Sequence, residues 1–323
     1  MLVFFVVSFC IAKHSKADYP NWAFAKYVYE YGQLEKIELL DGLDLSNRNL
    51  FNNSITRRLG ELRNITFDNS RLSYSALVET TFINCSFRGT NLFQVDASDT
   101  GFKDCDFTDA DISKATFYHM YPHNLMQTVN YKNKDLSNIK IETWKYWDDT
   151  ETIDTSCDFT GFNLENAWLP RDVEKCNFTD ARINGTRLYG VRWKGADSYL
   201  PSFSKEQLTT THNYKIGIFL GTQFSGVDFS HVDFSGMNLT GCKFEQGNTG
   251  IDAVYLVNYS NFDQTNIENA VISGCDFSGA ENLTLDQIKS TWNYKVGRME
   301  GITLPSKLQE QLDAERQVEG KSL

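Results

Sequence analysis

Three groups of residues in this chain have types and spacings that could do chemistry. Six of the seven cysteines stand two positions ahead of a phenylalanine: Cys85, Cys105, Cys157, Cys176, Cys242 and Cys275. Thiols at a recurring spacing admit three readings: metal ligation, disulfide bonding, or packing as small apolar groups. His119 and His123 are four apart, but a lone pair of this kind on a loop reads as solvated surface. Asp106 with Asp111, and Asp228 with Asp233, offer carboxylates of the sort that acid–base catalysis pairs. No nucleophile–base arrangement, phosphate loop or zinc signature accompanies them.

What positions these residues is a period of five. From Phe67 a large apolar residue recurs at Leu72, Leu77, Phe82, Phe87, Leu92, Ala97, Phe102, Phe107, Ile112 and Phe117, with Ala97 alone small. Two residues before each stands a small or β-branched one, such as Thr80, Cys85, Thr100 or Cys105. Alternation along a strand points residues i−2 and i to one side and i−1 to the other. If the remaining two residues turn a corner, each pentapeptide is one short wall of a tube. Asp, Asn, Ser, Thr and Gly crowd those corners and suit turns. Sorted by twenties, like falls on like: Phe67, Phe87 and Phe107 in one column, Leu72, Leu92 and Ile112 in the next, Cys85 above Cys105. Four walls therefore close a coil, and coils stack about 4.8 Å apart. Paired aspartates on adjacent walls then diverge. The cysteines fall at the small inward position, which favours packing over a spread-out zinc site; a Cys85–Cys105 bridge between stacked coils stays open.

Units such as "CDFTDADIS", "VDFSHVDFSGMNLTGCKF" and "TNIENAVISGCDF" resemble those of pentapeptide-repeat proteins. The resemblance implies an all-β solenoid, a right-handed quadrilateral β-helix with four pentapeptides per coil, over interrupted blocks of residues 39–304. It also brings the family's best-known activity as an alternative: a DNA mimic of the quinolone-resistance type that binds gyrase or another topoisomerase. The outward positions Thr66, Ser86 and Asp106, or Arg71, Asn91 and Asp111, form no acidic ladder, which speaks against that alternative.

Segments near 118–133, 143–156, 197–216 and 280–296 leave the period. Three carry Thr-x-Asn-Tyr-Lys, in "LMQTVNYK", "LTTTHNYK" and "IKSTWNYK". Capping boxes at Ser204–Gln207 and Thr284–Gln287 predict that two of them begin with a short helix. The motif reads as a device for re-entering the tube, in which Asn makes the turn, Lys meets an acidic corner, and the inward pattern resumes at Leu136, Phe219 and Met299. It reads alternatively as a repeated recognition loop presenting Tyr131, Lys132, Tyr214, Lys215, Trp292, Tyr294 and Lys295 to a protein partner. Aromatic residues crowd the excursions at Tyr118, Tyr121, Trp144, Tyr146, Trp147 and Tyr199.

The ends differ from the middle. Residues 1–17 have the apolar length and small-x-small ending of a signal peptide cleaved after Ala17, though no basic start. Residues 18–38 put Phe24, Tyr27, Val28, Tyr31 and Leu34 on one stripe, as a helix capping the open coil would. Residues 305–323 are polar and read as a frayed helix or a disordered tail. With a net charge of −11 over 323 residues the chain is a poor binder of nucleic acid phosphates. The reading is an exported, periplasmic or extracellular solenoid with no cofactor, no metal and no catalytic residues. It would not insert in the membrane after leader removal, and it would act as an interaction or envelope-structural module.

Overall fold

A square coil needs a corner at every fifth residue, and the backbone of the computed structural model shows where it falls. Residues 44–47, 49–50, 61–143, 156–170, 173–189, 191–193, 199–201, 203–246 and 259–319 are described; the expected leader and N-terminal cap lie outside them, as do Trp144, Tyr146 and Trp147. The corner is the pair of residues after each large inward one. The second of the pair is left-handed, as at Asn69, Tyr74, Glu79, Asp99 and Lys114. The next residue then donates its N–H back to the large residue's carbonyl, Ser70 to Phe67 at 2.9 Å and Thr90 to Phe87 at 3.1 Å. A bond of this span with a left-handed third residue marks a type II turn.

The chain divides into two compact units. Unit one, residues to 133 together with 139–152, holds strands β1 (Glu61–Arg63), β2 (Thr81–Ile83), β3 (Asp96–Ala97), β4 (Gly101–Lys103), β5 (Thr116–His119) and β6 (Lys140–Thr143). One wall is β1-β2-β4, parallel, with Leu62, Phe82 and Phe102 in register; another is β3-β5-β6. The two walls between are single bridges, Thr66–Ser86–Asp106 and Arg71–Asn91–Asp111. These partners are twenty residues apart, so this part of the unit is the four-walled β-solenoid that the columns predict.

Unit two, residues 134–138 and 153–323, is a solenoid of the same kind. It holds β7 (Arg187–Tyr189), β8 (Val191–Trp193), β9 (Tyr199–Pro201), β10 (Gln223–Ser225), β11 (Lys243–Glu245), β12 (Ser260–Asn261) and β13 (Ala280–Glu281). Strands β7, β10 and β11 stack Leu188, Phe224 and Phe244, while β8 and β9 form an antiparallel hairpin off the tube. Register here departs from twenty for a visible reason. Leu169 to Val173 is a step of four, so Trp168 pairs with Arg187 and Asp158 with Asn177, nineteen on. Helices interrupt both units: α1 (Pro122–Gln127) and α2 (Val129–Lys132) in unit one, α3 (Lys205–Thr210) and α4 (His212–Ile216), then α5 (Leu285–Ser290) and α6 (Trp292–Lys295), in unit two, which also holds α7 (Ser306–Glu319).

The interior is solid. Phe67, Phe87 and Phe107 lie face to face with centroids 5.0 Å apart and planes within 15°, all fully buried. Phe82 and Phe102 stack likewise at 5.5 Å. The small inward position has a hydrogen-bonding duty that composition alone hides. Its hydroxyl or thiol donates to a carbonyl of the coil before: Thr90 to Phe67 at 2.8 Å, Thr265 to Phe229 at 2.8 Å, Cys105 to Phe82 at 3.5 Å, Cys275 to Leu239 at 2.9 Å. Ser, Thr and Cys are thus interchangeable donors of a second hydrogen bond to carbonyls such as that of Phe67, which already takes the Ser70 N–H. Outward Asp and Asn accept from the residue two on, as Asp106 does from the Thr108 N–H at 2.8 Å and its hydroxyl at 2.6 Å. The Asn-x-Thr triplets arise the same way, Asn177 accepting from Thr179.

Three expectations change. Of the two readings of the C-terminal segment the helical one stands, unfrayed over fourteen residues as α7, because Leu308 and Leu312 are buried and Glu315 pairs with Lys289 of α5. His119 is not solvated: it ends β5 and is buried, its ring 4.4 Å from Tyr118, whereas His123 is exposed on α1 and stacks on Tyr121. Met299 is only half-buried; the wall that follows α6 is the last but one, and the last bridge runs from Asp276 to Thr303. Phe87→Ala, which empties the middle of a ring stack, should cost about 3–5 kcal/mol in chemical unfolding. Truncating half-buried Phe93, at a corner, should cost under about 1 kcal/mol.

Candidate functional site

The repeated Thr-x-Asn-Tyr-Lys motif builds the same object three times. Its threonine, Thr128, Thr211 or Thr291, is fully buried and serves two helices at once. The hydroxyl donates to the carbonyl of Leu125, Leu208 or Ile288, each at 2.7 Å. It also accepts the N–H of Tyr131, Tyr214 or Tyr294 at 3.2–3.3 Å, capping the second helix. Leu125, Leu208 and Ile288 are fully buried, anchoring the first helix to the tube.

The pair then imitates the missing strand. The residue before the threonine accepts a corner N–H: Gln127 from Asp109, Thr210 from Asp180, Ser290 from Asn269. The residue after it donates to Ala110, Ala181 or Ala270. Where the next carbonyl should be, the motif's asparagine supplies one. Asn130, Asn213 and Asn293 accept the N–H of Ile112, Ile183 and Ile272, all at 2.7 Å. In unit two the same amides donate onward, Asn213 to the Ile218 carbonyl at 2.9 Å and Asn293 to that of Arg298 at 3.0 Å. One side-chain amide thus stands between two coils in the manner of a peptide group. The expectation that this Asn makes the turn is corrected: Asn213 and Asn293 lie within the second short helix of each pair and are 1% exposed. Four residues before the threonine, Gln207 and Gln287 close the two predicted capping boxes and donate to carbonyls of the preceding wall. Unit one has the shorter Asn124 there, which reaches only the Cys105 carbonyl, and its Oδ1 finds no partner among the described residues.

The candidate partner residues sit on the outside of these pairs. Lys132 meets Asp109 and Lys215 meets Asp180, both at 2.7 Å, while Lys295 reaches Asn269 at 2.8 Å and Glu268 at 3.7 Å. Exposed pairs of this kind contribute about 0–1 kcal/mol. Tyr131, Tyr214 and Tyr294 are half-buried. The Tyr214 hydroxyl donates to the Asp233 carbonyl at 2.9 Å, and burial, then the Asp233 charge, raise its pKa. Trp292 is 37% exposed, with the Arg298 guanidinium 5.8 Å from its ring. In unit two, α4 and α6 flank one wall, whose outward residues Ile218, Asn238 and Val271 pair coil to coil. The last residue of α4 and this wall together expose Ile216, Ile218 and Leu220, at 49%, 37% and 43%. Attention to spacing missed this cluster, yet its signal is in the chain: isoleucine holds an outward place that usually carries Asp or Asn.

The chemistry available elsewhere is subdued. All six described cysteines are buried and unbridged. Burial pushes the Cys105 and Cys242 thiols far up, and that of Cys275 to about 12. The outward carboxylates serve corners. The Thr160 hydroxyl holds Asp158 below the ordinary carboxylate range, and the Ser235 N–H does so for Asp233. Both favour the fold above about pH 4, and their contribution fades as pH falls through the lowered values. Among the described residues no three His, Cys, Asp or Glu side chains gather as a metal site, and no helix is long and apolar enough to cross a membrane.

The family model of pentapeptide repeats matches in eight copies over residues 61–96, 85–119 and 217–246. The chain carries pentapeptide repeats. Among solved structures, HetL, involved in heterocyst differentiation regulation in the cyanobacterium Nostoc sp. strain PCC 7120, is 14% identical. The match covers 81% of this chain and 97% of HetL, at a TM-score of 0.29. QnrB1, a plasmid-mediated fluoroquinolone resistance protein, is 18% identical over 88% of this chain and 98% of its own, at 0.19. A pentapeptide repeat protein of the Arabidopsis thaliana thylakoid lumen is 15% identical over 46% and 73%, at 0.11. Superpositions this loose carry nothing about function. No curated protein matches the chain.

Two measurements probe these assignments. Asn213→Ala strips partners from the Ile183 N–H and the Ile218 carbonyl and should cost about 2–4 kcal/mol, whereas Lys215→Ala should cost under about 1 kcal/mol; denaturant titration separates them. Cys105 and Cys275 should resist alkylation in the native protein and react only on unfolding, read by intact mass.

Proposed function

We propose that this pentapeptide-repeat protein is a non-enzymatic, exported solenoid that works as a protein-interaction or envelope-structural module. The observation that carries the reading is the exposed cluster Ile216, Ile218 and Leu220 at the end of α4 and on the wall beside it. Elsewhere outward positions commonly hold Asp or Asn that cap their own corners, and the fold draws no such bond from Ile218 or Leu220 side chains. Clustered exposed aliphatic residues raise the free energy of the isolated protein, and covering them with a partner recovers about 25 cal/mol per Å² buried. The helix pairs support the reading differently. In unit two the Lys and Tyr side chains of α4 and α6 lie at the rim of the same wall, where polar groups surround an apolar contact.

Export rests on the leader-like residues 1–17. N-terminal sequencing of the mature protein from fractionated cells should find Asp18 first; an intact Met1 in the cytoplasm would reject it. The alternative, a DNA-mimicking gyrase or topoisomerase binder, draws on the net charge of −11 and predicts inhibition of supercoiling at micromolar protein. For the interaction reading, the double variant Ile218→Asp, Leu220→Asp should abolish cross-linked partner recovery while leaving the melting temperature within a few degrees. Unchanged recovery would reject this face.

A further inference from the structure

Arg187 lies on the outer side of β7 in unit two. The nineteen-residue register places Trp168 directly beneath it, and Tyr189 is two residues along the same strand on the same side. Its guanidinium carbon is 4.9 Å from the Trp168 ring centroid and 5.3 Å from that of Tyr189. Among the described residues its buried Nε has no hydrogen-bond partner, and no ion pair includes Arg187. Two other arginines in this acidic chain find carboxylates, Arg63 at Glu61 and Arg88 at Asp106, while Arg298 faces the single ring of Trp292 and Arg187 faces two. Arg187 is therefore a cation stripped of part of its water, held by two rings and left without an anion. Ring contacts stabilise the charge but accept no hydrogen bond, so the donors of the fork remain to be used.

We propose that Arg187, framed by Trp168 and Tyr189, is the anchor of a carboxylate-binding site, and that the carboxylate is an acidic side chain of a protein partner. Rings over the guanidinium leave its in-plane edge as the direction of approach. A planar carboxylate meets that edge with two parallel hydrogen bonds. A phosphate dianion could also bridge two donors, but the field of a chain at −11 penalises two negative charges more than one. Gln223 follows Arg187 in the same outward column, on β10, and extends the polar strip along which a partner segment would lie. The site rests on the interaction reading but on different residues from the Ile218 cluster.

The test is an NMR titration of the full chain that follows arginine Nε–Hε signals, with Arg187 assigned by contacts to Trp168 ring protons. The probes are sodium acetate, inorganic phosphate and a short glutamate-containing peptide. Saturable movement of the Arg187 signal with acetate is expected. The peptide should give the same movement at roughly tenfold lower concentration, and Trp168→Leu should weaken it roughly tenfold. No carboxylate response, or a response to phosphate alone, would overturn the site and leave ring packing as the whole role of Arg187. A response to acetate no weaker than to the peptide would overturn the partner side chain as its source. A partner that binds Arg187→Lys as it binds the native chain, yet loses the Ile218 variant, would sink this site and spare the interaction reading.

Discussion

Each wall of this protein depends on the wall one coil away for its backbone hydrogen bonds. Phe67 donates to Ser86 and Ser86 donates to Ile65, and the same exchange repeats along every described column. A strand of three residues has no stability of its own, so the ladder between coils is the constraint that everything else serves. Stacked phenylalanines keep coils in register from inside, and Asp or Asn caps hold corners from outside. Any interruption of the coil must still offer a donor and an acceptor to the edges it uncovers, since a buried peptide group without a partner costs about 1–3 kcal/mol.

That requirement explains the helix pairs better than any binding role for their conserved-looking letters. Thr211 joins two helices, Leu208 fills the tube, and Asn213 offers both halves of an amide to the coils on either side. The lysine and tyrosine that catch the eye in the sequence lie further out. Their side chains meet corners within their own unit, and in unit two the apolar residues beside them depart from the repeat more sharply than they do.

The tube was legible because its columns are written in like residues: Phe67, Phe87 and Phe107 name their own neighbours. The cysteine question was legible too, since a thiol in a row with threonine and serine does what they do. The left-handed corners were not, because Tyr74, Glu79 and Lys114 are poor choices for that backbone. They are tolerated where the ladder dictates the turn. Asn213 misled for a related reason: sequence lore assigns asparagine to turns, and only the three-dimensional edge shows which carbonyl it replaces. The helix after Ser306 was legible only as one of two readings, because its burial rests on two leucines in a run of charges. The outer sites, Ile218 and the Arg187 sandwich, came from positions where the repeat is broken, visible only once the rule for outward residues is known.

The register carries a consequence for how such a chain can change. Column neighbours are twenty residues apart in Leu62 and Phe82, nineteen in Trp168 and Arg187, and thirty-six in Leu188 and Phe224. Yet each set stacks as one level on the next. The lattice counts levels, not letters, so stretches of unequal length can be spliced in wherever their ends present an amide at the right height. For a builder grafting a foreign loop, the three asparagine joints mark ready-made sockets.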